Sequence, residues 1–233
     1  MGLSQILSFL IVAVNRFMTT LTATRRPVMK TLLQLNTSLF SAGGQSTQLA
    51  NNFVQDWRDS HADAKVVVRD LAADPVPHLN AERLQAFMTP AEQRSAEQQA
   101  IVAYSDALIA ELQAADVVVI GLPLYNFGIP SALQAYFDHL ARAGVTFKYS
   151  ATGPVGFLTG KRVLAFATRG GKYAGTHNDN ATTQVRAILS LLGMTEVEFV
   201  YAEGLSIDVT TREQGLTAAR QHSRLLAQSL ASA

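Results

Sequence analysis

At 233 residues, 48% of them hydrophobic, the chain is long enough to bury one sizeable core, and one domain is the default reading of that length. A formal net charge of +1, with charged residues scattered along the chain, excludes the electrostatic footprint of a nucleic-acid or anionic-membrane binder. The absence of cysteine excludes disulfides, thiolate metal sites, iron–sulfur clusters and cysteine nucleophiles, so redox chemistry here needs a bound cofactor.

The first feature along the chain is an apolar run at residues 6–14 (ILSFLIVAV). It is too short to span a bilayer. No lysine or arginine precedes it, and Arg25 and Arg26 follow it where a twin-arginine signal would come before. Neither a membrane anchor nor export is expected, which leaves the chain in the cytoplasm. Met18 and Met29 are both plausible starts. Residues 1–28 therefore read as an N-terminal extension, loosely ordered or non-native, ahead of one domain over 29–233.

From residue 30 short apolar runs alternate with amphipathic segments. Residues 31–35 (TLLQL) predict a strand, 36–45 a polar loop, and the stretch through Trp57 a helix. The pattern repeats with strands at 65–70 (KVVVRD), 116–122 (DVVVIGL), 162–168 (RVLAFAT) and 196–202 (EVEFVYA). Helices are predicted at about 90–114, 131–142, 181–192 and from 211 onward. Unbroken apolar strands separated by helices predict a parallel sheet covered on both faces, an α/β doubly wound three-layer sandwich with five strands. Residues 72–90, with Pro75, Pro77 and Pro90 and little periodicity, read as a long loop overhanging a pocket. The five histidines (His61, His78, His139, His177, His222) have no chelating spacing, and no metal site is expected.

In such a sheet ligands gather outside the carboxyl ends of the strands, which directs attention to the loops after the first, third and fourth strands. The first loop (NTSLFSAGGQS) combines the hydroxyls of Thr37, Ser38 and Ser46 with Gly43 and Gly44 at a helix start. Free amides, a close main chain and hydroxyl donors suit a phosphate. A plain helix cap by Ser46 would use the same residue. The second loop (PLYNFGIP) places Tyr125 and Phe127 on a stiffened segment, where a flat aromatic ligand would stack unless both rings fold into the core. Asn126 between them has donors and an acceptor for a ring edge. The third (TRGG) brings Gly170 and Gly171, either a backbone wall or an ordinary turn. Residues 156–161 (GFLTGK) look like a Walker loop but are one residue short between glycines and lack the following serine or threonine. A phosphate cradle, an aromatic clamp and a glycine wall at one sheet edge match the parts of a flavin mononucleotide.

At these residues the sequence resembles the FMN-dependent NADH-azoreductases, also described as NADH:quinone oxidoreductases, of the flavodoxin-like superfamily. The likeness runs from about Met29 to the C-terminus and rests on LNTSLFSAGGQSTQLA, VRDLAADPVP, PLYNFGIPSALQAYFDHLARAGVTFKY, GPVGFLTGK, TRGG and VYAEG. The resemblance implies a flavodoxin-like fold with one FMN per subunit. Ser38, Gly44, Gln45 and Ser46 would hold the phosphate, and Leu124, Tyr125, Asn126 and Phe127 would line the ribityl chain and ring. Thr168, Arg169, Gly170 and Gly171 would hold the ring's polar edge. It further implies a homodimer, NADH as electron donor, quinones and aromatic azo compounds as acceptors, and a ping-pong cycle without a protein nucleophile. Where the family often has serine before RGG this chain has Thr168, which keeps the hydroxyl. His177 is a candidate proton source for azo cleavage. An electron-carrying flavodoxin would need a strongly acidic face, and a non-catalytic sensor would bind without turnover.

Overall fold

The computed structural model of the chain describes residues 31–231, so the expectations for residues 1–28 lie outside the described residues. In chain order the elements are β1 (Thr31–Asn36), α1 (Gln45–Ser60), β2 (Lys65–Asp70), α2 (Ala81–Met88), α3 (Ala96–Ala114), β3 (Val117–Pro123) and α4 (Ser131–Leu140). They continue with β4 (Phe147–Ser150), β5 (Gly153–Gly156), β6 (Arg162–Thr168), α5 (Asn180–Leu192), β7 (Glu196–Ala202) and α6 (Val209–Ala231). Five of the strands pair in parallel in the order β2-β1-β3-β6-β7. That is the flavodoxin-like doubly wound order, whose direction of winding reverses between β1 and β3.

Alternate side chains of each central strand supply two separate cores. Leu32, Val117, Val119, Leu164 and Phe166 face α1 and α6, meeting Phe53, Trp57 and Leu216. Leu33, Val118, Ile120, Val163 and Ala165 face the other way, toward Leu108 and Leu112 of α3, Tyr136 of α4 and Val185 of α5. Each fully buried large side chain contributes about 1.5–3 kcal/mol through water release, so neither layer of helices can be dispensed with. The edge strand is different: Val68 of β2 is 56% exposed. An edge strand has a neighbour on one side only, and β2 protects itself with Arg69, whose guanidinium makes two hydrogen bonds to Glu111 of α3 at 3.0 and 2.8 Å.

Three local features depart from the sequence reading. Residues 72–90 are not a featureless loop, because Asn80 caps α2 within them and His139 Nε2 lies 3.0 Å from the Pro77 carbonyl oxygen, tying the segment to α4. The helix expected from residue 90 starts at Ala96 instead, where Ser95 and Gln98 form a reciprocal capping box. The antiparallel ribbon of β4 and β5 was not anticipated; its Gly156 lies so close to the backbone of Leu192 and Gly193 that a side chain has no room. In the Walker-like stretch, Lys161 Nζ donates to the carbonyls of Gln113 and Ala115 at 2.8 and 2.6 Å. It caps the end of α3 and holds no phosphate. Among the described residues no helix is long and apolar enough to cross a membrane.

Candidate functional site

The loops leaving β1, β3, β6 and β7 form one continuous rim because hydrogen bonds link each to the next. The Leu39 amide donates to the Tyr125 hydroxyl at 3.3 Å, and the Leu124 amide to the Thr168 carbonyl at 3.0 Å. The amides of Leu205 and Ser206 then reach the carbonyls of Arg169 and Gly170 at 3.1 and 3.0 Å. Below the rim Thr37 Oγ1 donates to the Gly121 carbonyl at 2.6 Å, fixing the exit of β1 against β3 at the winding reversal.

A cleft of about 490 Å³ opens between these loops. It brings together nine of the residues expected from the sequence: Ser38, Gly44, Gln45, Ser46, Leu124, Tyr125, Thr168, Arg169 and Gly170. Asn126, Phe127 and Gly171 stand beside it without lining it. Gly43 of the expected first loop and Pro123 of the expected second also line it, and Phe40, Leu205, Ser206 and Arg212 do so without having been singled out. Leu205 and Ser206 follow the last strand, so the rule that selected the other loops would have reached them had it been applied to β7. His177 is exposed and is not part of the cleft wall.

One end of the cleft is the start of α1. Unlike α2, α3 and α5, this helix has no side-chain cap. The amides of Gln45, Ser46 and Thr47 are among the first of the helix and have no carbonyl to donate to. Ser46 is fully buried, yet its Oγ has no hydrogen-bond partner. An unpaired buried hydroxyl costs about 1–3 kcal/mol, which is offset only if something else meets it. A Cβ on Gly44 would collide with Ser38 Oγ, so the main chain approaches there as only glycine allows. Among the described residues no carboxylate lines the cleft, and Arg212 stands at its edge with Nη1 donating to the Leu205 carbonyl at 3.2 Å. Free amides, a free hydroxyl and a cation together make an anion site.

The middle of the rim is a tight two-residue turn. Tyr125 and Gly128 exchange backbone hydrogen bonds at 3.2 and 2.9 Å, with Asn126 at φ 50° and Phe127 at φ 62° between them. Both central residues are left-handed, a conformation that a bulky side chain rarely adopts and that stores about 1–3 kcal/mol of strain. Phe127 nevertheless presents its ring at 46% exposure, edge-on to Tyr173 with centroids 5.3 Å apart.

At the far end the TRGG loop offers backbone. Among the described residues the amides of Gly170 and Gly171 have no acceptor, whereas the Arg169 amide is taken by the Ala202 carbonyl at 2.9 Å. The Arg169 guanidinium is buried under the loop, bonded to Asp179 at 2.6 Å, Thr182 at 2.8 Å and Glu203 at 3.4 Å, none of which lines the cleft. Burial pushes the Asp179 carboxyl up, but hydrogen bonds from Arg169, Thr182 and the Gly175 amide outweigh it and hold the group below its ordinary range.

Residues 29–226 match the family described as having the flavodoxin-like fold. The chain is 57% identical over 179 residues to an FMN-dependent NADH:quinone oxidoreductase of Cellvibrio japonicus, covering 77% of this chain and 90% of that one. A Burkholderia lata relative of the same description is 55% identical over 193 residues, covering 83% and 98%. The chain belongs to the FMN-dependent NADH:quinone oxidoreductases. Among solved structures, an azoreductase from Bacillus anthracis superimposes with a TM-score of 0.79 at 28% identity, covering 86% of this chain and all (100%) of that one. A Bacillus anthracis FMN-dependent NADH-azoreductase in complex with FMN gives 0.79 at 26% identity, covering 87% and 100%.

For an oxidoreductase of this family the cleft can be tested against its cofactor. The phosphate of FMN needs donors and room for a close main chain, which the Ser46 hydroxyl, the amides of 45–47 and Gly44 supply. The isoalloxazine needs an apolar wall and donors for its polar edge, which the Leu124 to Phe127 turn and the amides of Gly170 and Gly171 supply. The residues present fit the group.

Proposed function

We propose that this chain is an NADH-driven, FMN-dependent reductase that passes two electrons to quinones and reductively cleaves aromatic azo compounds to amines. The observation that carries the proposal is the buried Ser46 hydroxyl, unpartnered beside three free helix amides at the cleft, a donor set that suits a bound phosphate. FMN, when bound, supplies the redox chemistry, accepting hydride from the nicotinamide and delivering two electrons to the acceptor.

The protein's own work is to bind, orient and shelter. Ser38, Gly44, Gln45 and Ser46 would hold the phosphate, and Leu124, Tyr125, Asn126 and Phe127 would flank the ribityl chain and ring. The backbone of Thr168, Arg169, Gly170 and Gly171 would face the ring's polar edge, where fixed N–H groups stabilise negative charge without reorganising. Donor and acceptor would use the same open mouth in turn, which is a ping-pong order. The apolar residues around that mouth, Phe40 at 73% exposure and its neighbour Leu39 at 67% among them, favour a homodimer in which a second copy covers them. The same reading keeps the enzyme in the cytoplasm.

The purified protein is expected to be yellow, to release FMN on heating, and to oxidise NADH faster when menadione or an azo dye is added. Parallel double-reciprocal lines would identify the ping-pong order. A colourless protein that takes up no FMN would refute the proposal, and FMN binding without turnover would make the chain a carrier or sensor. Because His177 stands outside the cleft wall, protons for azo cleavage are expected from solvent. His177→Ala should leave the rate and its pH profile unchanged, and an altered profile would return the residue to the mechanism.

A further inference from the structure

Arg169 sits in the loop that would face the flavin, yet its charge is spent below it. The guanidinium, 1% exposed, is bracketed by Asp179 and Glu203 and lies over the Tyr201 ring with 4.8 Å to the centroid. Glu203 in turn accepts the amides of Tyr173 and Ala174 on one oxygen, at 2.7 and 2.8 Å. The next residue along, Gly204, donates its amide to the Gly171 carbonyl at 2.9 Å. The end of β7 therefore grips the loop after β6 from beneath.

The grip has a target. A Cβ on Gly171 would strike the Tyr173 ring at 2.6 Å, so the hydroxyl end of that ring packs directly against the glycine. The opposite contact of Tyr173 is the edge of Phe127, across the mouth from another loop. Carboxylate, amides, Tyr173 and Phe127 thus form one chain of contacts running from a buried ion pair to the exposed aromatic turn.

We propose that Arg169 and Glu203 are positioning residues: the buried pair and the two amides on Glu203 hold loop 170–176, and with it Tyr173 against Phe127, in the shape that receives the flavin ring. The inference rests on the FMN site proposed above. Arg169 fixes the Glu203 carboxylate, and Glu203 fixes the loop. Both side chains act from beneath the loop, and only the backbone of Arg169 would face the cofactor. Removing Glu203 leaves Arg169 its bonds to Asp179 and Thr182 but deprives the amides of Tyr173 and Ala174 of their charged acceptor, so the loop loses the contact that selects its shape.

The test has one arm that needs no flavin. In FMN-free protein, Glu203→Ala should speed hydrogen exchange of the amides in 170–176, and in the loaded enzyme it should alter the visible circular dichroism of the flavin. FMN affinity should fall by about ten- to a hundredfold, the loss expected when a charged acceptor is removed. Glu203→Gln, which keeps one acceptor oxygen, should recover part of both effects. If Glu203→Ala does not fold, Tyr173→Leu, at a half-buried surface position, should produce the same dichroism change with the ion pair intact. The double variant Glu203→Gln, Tyr173→Leu should be no worse for FMN than the more damaging single one, since both act through one contact chain. Unchanged exchange, unchanged dichroism with faster exchange, or additive losses would each overturn the proposal. Absence of FMN uptake by the unsubstituted protein, with the exchange effect present, would instead refute the flavin site.

Discussion

A Gly44→Val enzyme is expected to leave purification nearly free of FMN, with the dissociation constant raised by about two orders of magnitude or more. The backbone itself would accept valine, because Gly44 has φ −70° and ψ 137°, an ordinary extended conformation. The obstacle is space: a Cβ would overlap Ser38 Oγ and lie 2.5 Å from Ser38 Cβ. Either Ser38 or the start of α1 must move, and in both cases the amides of 45–47 and the Ser46 hydroxyl no longer converge on one point. Losing two hydrogen bonds to a charged phosphate, each contributing about 1.5–3 kcal/mol, gives the stated change in affinity. Ser46→Ala is the companion. It removes a hydroxyl that no protein group meets, so the FMN-free protein should be as stable as before or slightly more so, while FMN binds about tenfold more weakly. Fluorescence titration with FMN and thermal unfolding of the apoprotein check both. Unchanged affinity in the two variants would remove the phosphate from this end of the cleft.

How much of this was legible in the sequence depended on whether the signal was local. Leu32 and Leu33, or Val117 and Val118, announce a doubly covered strand by being adjacent and apolar, and the alternation of such strands with helices fixed the layers. Ser38, Ser46 and the paired glycines were legible for a similar reason, since a helix start and its donors lie within a few residues. What stayed hidden was long-range. Nothing next to Arg169 in the chain shows that Asp179 and Glu203, the latter 34 residues on, would turn its guanidinium away from the cleft. The spacing around Lys161 already spoke against a phosphate loop, but where its ammonium goes was hidden, because its acceptors, Gln113 and Ala115, are nearly fifty residues earlier in the sequence and 2.6–2.8 Å away in space. Helix α2, only eight residues long, is too short to impose a period and is held by its packing on α3 and by Phe87 against His139 of α4, ring centroids 5.7 Å apart. The strain at Phe127 was equally invisible, because the flanking prolines of PLYNFGIP predict a stiff loop without predicting its hand.

That strain leads to an outcome with two opposite signs. Phe127→Gly should stabilise the FMN-free protein slightly, by less than about 1 kcal/mol, because the strain phenylalanine carries at φ 62° is relieved, less the entropy glycine gains on unfolding and the lost edge contact with Tyr173. The same change should weaken FMN binding by about tenfold and lower turnover with bulky azo acceptors, since it deletes an exposed ring that would flank the flavin and whose edge contact holds Tyr173. Asn126, at φ 50°, is the internal control: asparagine tolerates the left-handed region, so Asn126→Gly should bring a smaller stability gain. Urea unfolding of the apoprotein and FMN titration separate the two effects. A residue kept only for packing would lose stability when truncated, whereas one retained for its ring despite local strain gains stability and loses function. If Phe127→Gly were destabilised and bound FMN normally, the ring would belong to the scaffold, and the strained turn would have no part in shaping the site.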